Sequence, residues 1–80
     1  MRVRLRFFAS LRERLGRSLE RNAPDGATVG AVWRALVAER PELAAMQVRF
    51  AVDEAYVAAS HRLADGDEVA VFPPVSGGVA

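Results

Sequence analysis

Eighty residues suffice for one domain and no more, and a chain this short must build a small, tight core because only about 60% of its unfolded surface can be buried. The chain has no cysteine, which excludes a disulfide frame, a thiolate metal site and a 2Fe-2S centre. All 11 basic residues are arginine, so no lysine can form a Schiff base or accept an isopeptide bond, and the net charge of +1 argues neither for nor against a nucleic-acid partner, and none is expected.

The chain opens with "RVRLRFF", which alternates strictly. Val3, Leu5 and Phe7 share one face; Arg2, Arg4, Arg6 and Phe8 share the other, as in a half-buried strand. Ser10 stands three residues before Glu13, a capping-box spacing that predicts a short helix capped by Ser10 and running to Leu15. Gly16 fits its C-terminal stop. "RSLERNA" reads as a weaker strand pairing back on the first, and Pro24 to Gly26 as a turn. Thr28 fits an N-cap, and Val29, Val32, Trp33, Leu36 and Val37 recur at the spacing of the main amphipathic helix. Pro41 ends that helix or starts a short turn through "ELAAM".

"VRFAV" alternates again, with Val48, Phe50 and Val52 on one face, and "AYVA" can return as a hairpin partner. Asp53-Glu54 suits a tight hairpin less well than Asn-Gly, so a longer loop is the alternative and the place of Tyr56 stays open. "DGD" makes a turn before a closing strand that turns Val69 and Val71 inward. These pieces predict an α+β fold of the β-grasp type: a mixed four- to five-stranded sheet with one main helix on one face. Residues 1–72 are expected to form the domain and residues 73–80 a flexible tail with the Gly-Gly pair.

The same alternation turns Phe8, Ala70 and Phe72 to the open face, beside Arg4, Arg6 and Arg49. In a β-grasp sheet the first and last strands are central neighbours, so Phe8 and Phe72 can form one apolar patch rimmed by arginine. Such a composition belongs to a protein interface; the alternative is two rings partly covered by curling strand ends and loops. After Phe72, Pro73 and Pro74 offer no N–H, so the sheet stops and an extended spacer begins. Gly77 and Gly78 lack Cβ atoms and can thread a narrow channel. Anchor, spacer and slim tip suit the delivery of a C-terminus to another protein's active site; a frayed terminus is the alternative.

"LADGDEVAVFPPVSGG", with "FFASLRERLG" near the start, resembles the MoaD family, the small subunits of molybdopterin synthase among the ubiquitin-like MoaD/ThiS sulfur carriers. The resemblance implies that the carboxylate of Gly78 is adenylated with ATP by an E1-like enzyme of MoeB type. Sulfur then replaces one oxygen to give a thiocarboxylate. The tail enters a large subunit of MoaE type, in a heterotetramer, and donates sulfur to the molybdopterin dithiolene. It further implies that Gly77 is the slim neighbour of the sulfur-bearing residue, and that Phe8, Arg12, Phe72, Pro73, Pro74 and Val75 contact partners. No cofactor is expected on this chain itself; ATP serves the activating enzyme, and the isolated chain is expected to be no enzyme. With no cysteine, the C-terminal acyl group is the sulfur site open to this sequence.

Val79 and Ala80 depart from the pattern, because they hold Gly78 in a peptide bond. A processing protease, an extension foreign to the working chain, and loss of carrier activity are the three explanations. Two other functions stay open: a related carrier for thiamin, tRNA thiolation or protein tagging, and a β-grasp binding module that carries no sulfur. His61 beside Arg62 reads as a solvated residue, since a catalytic base needs an oriented partner. Asp65, Asp67 and Glu68 surround Gly66 without EF-hand spacing and read as a turn. The Arg2/Arg4/Arg6 row lacks the spaced aromatics of a nucleic-acid face and reads as an interface rim or a solvated strand. Trp33 falls on the core stripe. No apolar run nears the roughly 20 residues of a membrane span, and the expected location is the cytoplasm.

Overall fold

The computed structural model describes residues 1–74. Strand β1 (Arg2–Phe7) realises the alternation at the start of the chain: Val3, Leu5 and Phe7 are buried while Arg2, Arg4 and Arg6 remain exposed. Helix α1 (Ala9–Leu15) begins two residues earlier than the capping-box spacing predicts. Phe8, not Ser10, is its N-cap, and no side chain caps it. Ala9 takes a φ of 52°, which turns the chain sharply out of β1 and leaves Ser10 already inside the helix, so the reciprocal Ser10–Glu13 cap does not form. At the other end Gly16 has a φ of 90° and donates its N–H to the Arg12 carbonyl at 2.9 Å, closing the helix as expected.

Strand β2 (Ser18–Asn22) pairs antiparallel with β1, and the Ala27 N–H donates to the Pro24 carbonyl at 3.0 Å to close the following turn. Helix α2 (Val29–Glu39) is capped by Thr28, whose Oγ1 accepts from the Ala31 N–H at 3.1 Å. Its apolar stripe buries Val29, Val32, Trp33 and Leu36, while Val37 is half-buried. Gly30 is needed for contact: its N–H donates to the Ala59 carbonyl at 2.8 Å, and a Cβ there would stand 3.0 Å from that of Ala59. A 3-10 turn, Pro41–Ala45, then buries Leu43.

Strand β3 (Arg49–Val52) and strand β4 (Ala55–Val57) form a hairpin, and β5 (Glu68–Phe72) closes the sheet. The strand order is β2-β1-β5-β3-β4, with β1 and β5 parallel at the centre and the other pairs antiparallel. Among the described residues, all 14 buried apolar side chains form one cluster, in which the α2 stripe meets the inward residues of β1, β3 and β5. Trp33 packs edge-on against Phe50, their ring centroids 6.1 Å apart, as a core residue should.

The β3–β4 hairpin settles the loop length left open above. Val52 pairs directly with Ala55, so Asp53 and Glu54 alone make the turn. Both have positive φ, 51° and 66°, the geometry that primed hairpin turns require and glycine or asparagine supplies more readily. Pairing on both sides of β3 imposes a turn that the sequence does not favour.

Candidate docking face and tail root

The parallel β1–β5 pair sets the site. Leu5 lies beside Val69 and Phe7 beside Val71 on the covered face, so the residues that follow, Phe8 and Phe72, emerge together on the open one. Their rings stack, with centroids 4.7 Å apart and planes 15° from parallel. Both are half-buried, so the expected juxtaposition holds and the two rings cover part of each other. Tyr56 joins them from β4, with its centroid 6.0 Å from that of Phe72 and its plane at 66°. It is 69% exposed, the one large apolar side chain so exposed among the described residues.

Arginines frame these rings. The Arg6 guanidinium lies 5.6 Å from the Phe8 centroid, and that of Arg49 lies 5.9 Å from the Tyr56 centroid. Such cation–π contacts hold a long, mobile side chain over an exposed ring. Arg12, on α1, lines a groove of about 320 Å³ with Arg4, Arg6, Arg17 and Phe8. Arg12 therefore stands on the same side as the ring stack. Arg17 belongs to this basic corner too, and sequence reasoning missed it.

The rest of the arginine row is largely answered from within. Glu20 of β2 sits opposite Arg4 and accepts from Arg4 Nη2 at 2.7 Å and from Arg2 Nε at 2.8 Å. These hydrogen bonds, that of Arg4 foremost, hold the Glu20 carboxyl below its usual range, and Glu20 raises the pKa of Arg4 in return. Arg4 and Arg6 also approach Glu68, at 3.9 and 3.8 Å.

The turn at Asp65–Asp67 is accounted for by backbone bonding. Asp65 Oδ1 accepts from the Arg2 N–H at 2.7 Å, Asp67 Oδ2 accepts from the Ala64 N–H at 2.8 Å, and the Gly66 N–H donates to the Arg2 carbonyl at 2.7 Å. His61 is half-buried, and its carbonyl accepts from the Val29 N–H at 2.9 Å, a purely structural bond. No described helix is long and apolar enough to cross a membrane.

Pro73 is half-buried directly after Phe72, and Pro74 is exposed. The root of the tail thus springs from a central strand, at the ring stack. Val75, Gly77 and Gly78, with the rest of the expected tail, lie outside the described residues. Tyr56 is a second site residue that sequence reasoning did not place. Its signal was present but conditional: once Val52 pairs with Ala55, Tyr56 must lie opposite Ala51 and face outward.

A five-stranded mixed sheet with this order, grasping one long helix, defines a ubiquitin-like β-grasp protein. Residues 5–78 match the ThiS family, and the chain belongs to that family of ubiquitin-like sulfur carriers, as the sequence resemblance implies. The match closes on Gly78 and leaves Val79 and Ala80 beyond it. The chain is 38% identical to the molybdopterin synthase sulfur carrier subunit of Escherichia coli, over 95% of its own length and 99% of that protein's. It is also 38% identical to small archaeal modifier protein 3 of Haloferax volcanii, over 98% of this chain and 100% of that one. Among solved structures, a small archaeal modifier protein from Haloferax volcanii superposes with a TM-score of 0.82 at 31% identity, covering 98% of this chain and 100% of that one. A chain from a complex of subunits 1 and 2 of the molybdopterin-converting factor of Helicobacter pylori superposes with a TM-score of 0.68 at 26% identity, covering 98% and 100%.

Proposed function

We propose that this chain is the sulfur-carrying small subunit of a molybdopterin synthase. The observation that carries the reading is the Phe8–Phe72 stack at the root of a tail whose family match ends on Gly78. The stack docks the chain on its partner, and the prolines lead the tail from the stack toward the partner's reaction centre. Phe8, Phe72, Arg12, Pro73, Pro74 and Val75 contact the partner; Gly77 and Gly78 form the slim tip. The Helicobacter pylori relative, found in a complex of two subunits, supports a large subunit of MoaE type as that partner.

The carboxylate of Gly78 attacks the α-phosphate of ATP on an E1-like enzyme of MoeB type, and pyrophosphate leaves. A sulfur nucleophile then displaces AMP, and the resulting thiocarboxylate serves as a soft nucleophile toward the pterin precursor. Val79-Ala80 must be removed first, since an amide-bound Gly78 has no carboxylate to adenylate. Similarity to a small archaeal modifier favours a second reading, in which the same tail serves protein tagging.

The test compares chains ending at Gly78 and at Ala80, each with the adenylating enzyme from the same source. ATP–pyrophosphate exchange is expected with the Gly78 chain alone; equal exchange by both refutes the need for processing. The thiocarboxylated Gly78 chain, given the large subunit and the pterin precursor, should then yield molybdopterin. Conjugates to other proteins with no molybdopterin would replace this reading by the tagging one.

A further inference from the structure

Beside the ring stack, the open face holds a second groove. Ala51 of β3 and Ala70 of β5 are paired neighbours, and the same cross-strand row carries Arg6 at one end and Tyr56 at the other. Both alanine side chains stop at Cβ, so the row is hollow at its centre. Phe8 and Phe72 wall one side of the hollow and Glu68 the other, with Asp53 and Glu54 of the hairpin turn at its end. The groove measures about 540 Å³.

Its charge is opposite to that of its neighbour. Three carboxylates, Asp53, Glu54 and Glu68, line this slot against one guanidinium, Arg6, a balance of −2. Four guanidiniums, Arg4, Arg6, Arg12 and Arg17, line the adjoining groove against Glu68 alone, a balance of +3. Glu68 is shared with Arg4 and Arg6, whereas Asp53 and Glu54 form no ion pair among the described residues.

We propose that the slot receives one arginine side chain of the protein that docks on this face. The aliphatic stem would lie over Ala51 and Ala70 against the rings. The guanidinium would meet Asp53 and Glu54 in the planar, charge-assisted geometry that carboxylates offer arginine. An apolar partner side chain would fill the floor and strand the two acids; an acidic one would be repelled here and drawn to the Arg12–Arg17 corner. The two grooves thereby fix the direction in which a partner lies across the sheet, since turning it end for end sets like charges against each other. An exposed ion pair contributes little, but a docked partner excludes water from this one and strengthens it. The inference rests on the docking role given to the open face above.

The test is isothermal titration of the Gly78-ended chain with the large subunit and with the adenylating enzyme from the same source, at low and moderate salt. Asp53→Asn/Glu54→Gln keeps shape and removes both charges; Ala70→Leu fills the floor. Each is expected to weaken at least one of the two complexes about tenfold or more, with melting temperature unchanged for the charge variant. The charge variant should also flatten the salt dependence. One arginine of the partner, changed to alanine, should cost the same and lose nothing further against the charge variant. If Phe72→Ala weakens binding while both slot variants stay within about twofold of the parent, the slot is empty in the complex and this inference falls alone. If the parent chain binds neither protein, the docking reading falls and takes this inference with it.

Discussion

The two faces of the sheet use the same strands and alternate residues, yet only one of them is finished. On the covered face Val3, Leu5, Phe7, Phe50, Val52, Val69 and Val71 meet α2 and are buried. On the open face the same strands present Arg6, Phe8, Arg49, Ala51, Ala70 and Phe72, with Tyr56 standing clear. The covered face finds every partner within the chain. The open face completes only its β2 side, where Glu20 answers Arg2 and Arg4. An aromatic stack without a lid, next to two grooves of opposite charge, is what a docking surface requires.

The sharpest break between the faces should come from Leu5→Ala. Leu5 is 1% exposed at the centre of the sheet, and its truncation leaves a cavity costing about 2–5 kcal/mol. For a domain this size that lowers the melting temperature by roughly 4–8 °C for each kcal/mol, which calorimetry can read. Phe72→Ala, one face over, should lower the melting temperature far less and instead weaken partner binding by about 1–3 kcal/mol. A melting-temperature loss at Phe72 equal to that at Leu5, with affinity unchanged, would make the stack part of the core and end the contrast.

Much of this division is legible in the sequence, because period-two alternation assigns each side chain to a face whatever the register. That is why Val3, Leu5 and Phe7 fall together, and why Phe8 and Phe72 can be matched once β1 and β5 are neighbours. Thr28 is legible because its cap is local. What the sequence conceals depends on backbone states that its residues do not prefer. Ala9 at positive φ moves the start of α1 to a position where no capping residue stands. Asp53 and Glu54 at positive φ make a two-residue turn without glycine, and Tyr56 is placed only when that turn is known. The Glu20 bridge and the Arg17 corner depend on strand register and on how α1 meets β2, neither of which composition encodes.

The β3–β4 hairpin places folding and docking on the same two residues. Left-handed backbone costs an L-residue with a Cβ about 1–2 kcal/mol, less for Asp and Asn. Asp53→Asn/Glu54→Gly supplies the pair that primed turns prefer and should stabilise the fold by about 1 kcal/mol in urea denaturation. It also removes both slot carboxylates, so binding should weaken while folding improves. A variant that is both more stable and equally tight would locate the turn's importance in folding alone.

The smallest effect belongs to Glu20, the acid that serves the open face from within. Its folded pKa lies below the unfolded value, chiefly through the Arg4 hydrogen bond and then that of Arg2. The stability it contributes is therefore present above the unfolded pKa, about 4.3, and is lost as pH falls through the folded value. Glu20→Gln should be slightly less stable than the parent near neutral pH, and the gap should close in acid as the Glu20 carboxylate takes up its proton. Because the pair is exposed, salt should narrow the gap as well. Denaturation across pH at two salt concentrations reads both trends. A gap that persists unchanged into acid would mean that Glu20 acts through packing rather than charge.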